Sequence, residues 1–140
     1  MPPKTRWIVA LCLITTAATI AYWLLFFFVP GSVQSSSEAC YLTFERSFPV
    51  ADAWMALCTF LCAAALLRRR AISMLWGLLG ASAMLYLGCM DVLYDLENGM
   101  YAHFSADMAV EAVINVFSLA VGASFIRWFW RQRATLLTLA

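Results

Sequence analysis

The chain is predicted to be an all-α integral membrane protein, a compact bundle of four transmembrane helices with both termini cytoplasmic. Three observations predict it. Residues 7–29, 50–67, 71–94 and 108–130 are apolar runs, each close to the roughly 20 residues a helix needs to cross the hydrocarbon layer. Over 140 residues the chain is 64% hydrophobic and only 12% charged, well outside the composition of a soluble domain. The charges also sort by side. Lys4, Arg6, Arg68, Arg69, Arg70, Arg127, Arg131 and Arg133 fall at one set of helix ends. Glu38, Glu45, Asp52, Asp91, Asp95, Glu97, Asp107 and Glu111 fall at the other, with Arg46 the single basic exception. Basic residues mark the cytoplasmic side.

The first helix, 7–29, carries Cys12, Thr15, Thr16, Thr19 and Tyr22 at three- and four-residue spacing, a mildly polar face. Its apolar run exceeds the roughly 7–15 residues of a signal peptide, so a retained helix is expected. Pro30-Gly31 is a helix stop. The outer loop 30–49 follows, with a serine run at 35–37 and Tyr41, Phe44 and Phe48 as interfacial anchors. Pro49 suits the first position of the second helix, where its missing N–H costs nothing. Arg68-Arg69-Arg70 makes a tight hairpin into the third helix.

Small residues in that third helix, Ser73, Gly77, Gly80, Ala81 and Gly88, allow close backbone approach in lipid. It is expected at the centre of the bundle. Asn98-Gly99 signals a turn within the second outer loop, 95–107. Ser105 or Asp107 is positioned to cap the fourth helix. The whole of 1–140 reads as one domain.

The acidic residues carry the functional expectation. Asp91 and Asp95 are four apart on the third helix, and Asp107, Glu111 and Asn115 are four apart on the fourth. Asp52 lies in the first turn of the second helix, above Thr59. Asp52 and Asp107 are also explained by the helix dipole, worth about 0.3–1 kcal/mol at an N-terminus. Asp91 and Glu111 are not, because each lies about one turn inside the apolar boundary. A mid-bilayer acid costs roughly 2.5–3.5 kcal/mol on insertion scales, so its retention points to function. The expected arrangement is an outward-opening acidic pocket floored by Asn115 and Thr59. Asp91 and Glu111 carry the charge, Asn115 orients the ligand, and Asp52 and Asp95 rim the entrance. His103 or Arg46 is the expected compensating charge, and Trp54 and Tyr86 are expected to reach inward below the carboxylates, as a wall for a cationic amine.

Cys12, Cys58 and Cys62 read as small apolar residues within helices. Cys40 and Cys89 fall toward the outer face, where a bridge between them is expected in an oxidising compartment. Four-helix membrane oxidoreductases that make disulfides resemble this chain in topology and in outer cysteines. Their Cys-x-x-Cys pair does not occur here. There is no Gly-rich phosphate loop, no Gly-x-Ser-x-Gly and no His-x-x-x-His or Glu-x-x-His pair, so neither a cofactor nor a metal is expected.

The functional expectation is therefore a non-enzymatic membrane protein whose pocket takes a cation or a small amphipathic, lipid-like cation. One alternative is an accessory subunit whose small-residue face packs on a larger membrane complex. Another is an enzyme acting on lipid or thiols. Expected partners are membrane lipids, such a ligand, and a second copy or a complex; nothing suits nucleic acid. The expected location is the plasma membrane, or the ER membrane in a eukaryote.

Overall fold

The computed structural model describes residues 3–29, 31–34, 38–102 and 105–139, and not the side chains of residues 3, 4 and 107. His103, Pro30, the serine run 35–37 and the Asp107 side chain, to which the sequence assigned roles, lie outside the described residues. The chain is 85% helix, with no strand among the described residues. Four helices are long and apolar enough to cross a membrane: α1 (Pro3–Phe28), α3 (Pro49–Leu67), α4 (Ser73–Glu97) and α5 (Ala106–Leu137). Between the first two lies a short helix, α2 (Ala39–Glu45), inside what the sequence left as loop.

The local signals act where expected. Pro49 occupies the first turn of α3. The Ser105 side chain accepts the Met108 N–H at 3.1 Å and so caps α5. Gly99, at φ +65°, takes the left-handed conformation that ends α4. Arg69 turns the hairpin at φ +53°, and Arg70 N–H closes on Ala65 O at 2.9 Å. Two helices run past their expected ends. α4 continues to Glu97, and α5 continues to Leu137 because no Gly or Pro follows Gly122.

α1 packs on α3, α3 on α4, and α4 on α5. The helices therefore form an arc, with α3 and α4 sharing the centre that the sequence assigned to the third helix alone. Glycines set the close approaches. Gly77 lies under the Phe129 ring, Gly80 against Cys58 and Thr59, and Gly88 against Ser118 and Leu119. Between α1 and α3 the Thr16 and Thr59 hydroxyls meet at 2.8 Å. Each also reaches a carbonyl one turn back, Thr16 to Cys12 and Thr59 to Met55. Hydroxyls buried away from water need such partners.

The two ends of the bundle differ. At the Arg-rich end one core joins all four long helices: Ile8, Val9 and Cys12 meet Cys62, Leu66, Ala81, Phe125 and Phe129. Nearer the acidic end a smaller cluster, Met55, Met84 and Leu87 with Phe48 and Phe117, contains nothing from α1. α1 meets this end through polar side chains instead, Tyr22 to Glu45 and Trp23 to Asp52, and the space enclosed between α1, α3, α4 and α5 is the cavity described next. The outer surface is apolar, with Trp7, Ile14, Phe28, Val50, Phe60 and Val116 all exposed, far more than a water-facing surface carries.

Candidate ligand-binding cavity

Helix periodicity places the carboxylates. Asp91 and Asp95 share one face of α4, Glu111 and Asn115 one face of α5, and Asp52 begins the inward face of α3 that Met55 continues. All except Asp95 line a single cavity of about 360 Å³, together with Glu45 from the end of α2. From α1 come Thr15, Thr19, Tyr22 and Trp23; Met84, Leu87, Ile114 and Phe117 supply apolar wall.

Each carboxylate bond described here comes from a neutral donor on another element. Tyr22 Oη donates to Glu45 Oε2 at 2.9 Å, and Trp23 Nε1 donates to Asp52 Oδ2 at 2.9 Å. Tyr41 Oη donates to Glu111 Oε2 at 3.5 Å, and Asn115 Nδ2 donates to Asp95 Oδ2 at 3.1 Å. Glu45 and Asp95 are buried. Three buried oxygens near this network have no partner among the described residues: Asp95 Oδ1, Asn115 Oδ1 and Thr15 Oγ1. Two of them, on Asn115 and Thr15, belong to residues that line the cavity. Tyr101, in the turn that follows α4, is hydrogen-bonded to Asp95, and its phenol pKa is raised by burial and then by that bond.

Several expected positions are corrected. Asp95 does not rim an entrance; it is fully buried between α4 and α5, bonded to Asn115. Trp54 and Tyr86 do not reach inward. They are 46% and 64% exposed, and Trp54 meets Trp76 edge-on instead. The reason is helical phase: Trp54 is two residues from Asp52 and Tyr86 five from Asp91, which at 3.6 residues per turn turns both away. Thr59 is no floor, because its hydroxyl is taken by Thr16. Arg46, at the end of α2, is exposed. Cys40 and Cys89 are free thiols, so the expected bridge is not formed. Cys40 lies beside Tyr94, five residues along α4 from Cys89 and on a different face.

The cavity also contains residues the sequence did not single out. Tyr22 and Trp23 supply the aromatic wall expected of Trp54 and Tyr86, and Glu45 and Tyr41 come from α2. The signal for α1 was the three- and four-residue spacing of Thr15, Thr19 and Tyr22. The signal for α2 was weaker: Tyr41, Glu45 and Phe48 repeat at helical spacing over only two turns.

Among the described residues, no three or more His, Cys, Asp or Glu side chains are gathered tightly enough to hold a metal ion. The acids are spread around a space of small-molecule size. Comparison with protein-family models, with curated proteins and with solved structures finds no match for this chain.

Proposed function

We propose that this is a multi-pass membrane protein whose acidic cavity binds a cation, most simply the ammonium group of a small amphipathic ligand. The observation that carries the reading is the convergence of Glu45, Asp52, Asp91 and Glu111 on one cavity. Aromatic donors already orient three of them, Glu45, Asp52 and Glu111. Four acids held this close repel one another, and an organic cation relieves that repulsion while filling the space. Trp23 and Tyr22 add aromatic rings to the same wall, groups that attract a cation. The spread of the acids favours a substituted ammonium over a bare metal ion, which needs ligands gathered within about 2.0–2.6 Å.

Membrane insertion is supported by the four long apolar helices and the exposed apolar surface. The segregated charges support an orientation with the Arg-rich end, and so both termini, in the cytoplasm. That puts the acidic end outside at the plasma membrane, or in the lumen if the chain is in ER. The assembly-subunit alternative loses its main support, because Gly77, Gly80 and Gly88 already pack inside this chain.

The test is thermal unfolding of the purified protein against a panel of inorganic cations and alkylamines, beside the Asp91→Asn, Glu111→Gln double variant. Stabilisation of the wild type that the variant lacks is the expected result. Identical curves would reduce the carboxylates to a structural role.

A further inference from the structure

We infer that the cavity is entered from the bilayer, through a slot between α1 and α5. Its occupant is then a membrane-dissolved alkylammonium whose head meets the carboxylates while its chain lies in the slot. This rests on the acidic-cavity reading and adds to it the route and the shape of the ligand. The first support is the arc itself. α1 and α5 are its two ends, and they share a core only toward the Arg-rich end. Nearer the acids, the small core cluster excludes α1.

The second support is that the acidic end is roofed. From α2 or its end, Glu45 takes the Tyr22 bond from α1, Tyr41 bonds Glu111 on α5, and Phe44 stacks on Tyr94 of α4 at 3.9 Å. One short helix is thus tied to three long ones across the end where an outward-opening pocket would have its entrance.

The third support is a polarity gradient across the lining. Its well-exposed members on the two flanks are apolar: Ile14 on α1 at 55%, and Val113 on α5 at 68%. Beside Glu45 at 7%, its buried polar members are Thr15 at 3% and Asn115 at 2%. Both hold an oxygen with no partner among the described residues, and they approach from opposite sides of the slot. An ammonium supplies N–H donors to such acceptors and charge to the acids, while an alkyl chain matches the flanks. A water-borne cation matches only the inner half.

The probe is dodecylammonium carrying a diazirine at the chain terminus, photolysed with the full chain in lipid nanodiscs. Saturable adducts on Ile14, Val113 and Ile114 are expected. Asp91→Asn and Val113→Trp should each weaken saturation at least tenfold, the first by removing charge and the second by filling the slot. Val113 is exposed enough to accept tryptophan without unfolding, which a thermal melt verifies. If adducts fall on α2 and Val113→Trp has no effect while Asp91→Asn still weakens binding, entry is from water. The inference is then overturned and the acidic site stands. Adducts in the slot that ignore Asp91→Asn would mark a groove for any acyl chain and overturn it too. Absence of saturable labelling, or a cross-linked dimer in its place, overturns both readings.

Discussion

Asn115 on α5 donates its amide to Asp95 on α4 at 3.1 Å, twenty residues away in sequence, and each side chain keeps one oxygen without a partner among the described residues. The pair pins the two helices together at the cavity's edge, where Asn115 is part of the lining. It holds Asn115 Oδ1 fixed as an acceptor there, since the amide nitrogen is already engaged.

Asn115→Leu should remove the 3.1 Å hydrogen bond from the amide to Asp95 and leave a buried carboxyl behind. Losing a bond to such a group costs about 1.5–3 kcal/mol, and measured values between helices in lipid average lower, about 0.6. A fall in unfolding free energy of about 1–2 kcal/mol is therefore expected. Combining it with Asp95→Leu should restore part of the loss, because the orphaned acid goes too. Strictly additive losses in the double variant would show that the two side chains are not coupled.

Gly77 on α4 lies directly under the Phe129 ring of α5. A methyl group added at Gly77 would run into the buried Phe129 ring. Gly77→Ala should cost about 1–3 kcal/mol by overpacking, and Phe129→Leu should suppress much of that cost by vacating the space. Gly122→Ala should be relieved only in part by a smaller side chain at Leu85, because its added methyl would meet the Ala81 carbonyl as well as Leu85, both at 3.0 Å. Unfolding of the two pairs of variants in detergent separates these outcomes.

Cys40 and Cys89 are both free and exposed, but they are exposed to different surroundings. Cys40 is on α2 at the acidic end, whereas Cys89 lies two turns inside the apolar helix α4. With the acidic end outside, a membrane-impermeant maleimide added to intact cells should label Cys40 without reductant. Cys89 should stay unlabelled until detergent strips the lipid. Labelling of Cys40 only after the cells are broken would reverse the proposed orientation, and a requirement for reductant would restore the disulfide.

Class and the order of the four long helices were readable from the sequence because hydrophobic length is a local property. A run near 20 apolar residues announces a helix long enough to span whatever its neighbours do. The same holds for Pro49, Ser105 and Asn98-Gly99, whose effects act within one turn. Spacing also fixed which acids share a face, as with Asp91 and Asp95 or Glu111 and Asn115.

Tertiary structure alone decided which faces meet. Periodicity gives the phase of residues within one helix but not the rotation of that helix against the next, so Trp54 and Tyr86 were assigned inward and lie outward. The two-turn helix α2 was too short for its periodicity to stand out, yet it carries Tyr41 and Glu45 to the cavity. The arc order of the helices, set by glycine contacts among α3, α4 and α5 and by the Thr16–Thr59 pair between α1 and α3, left α1 and α5 unpaired near the acids. That gap makes the cavity, and it belongs to no single stretch of the chain.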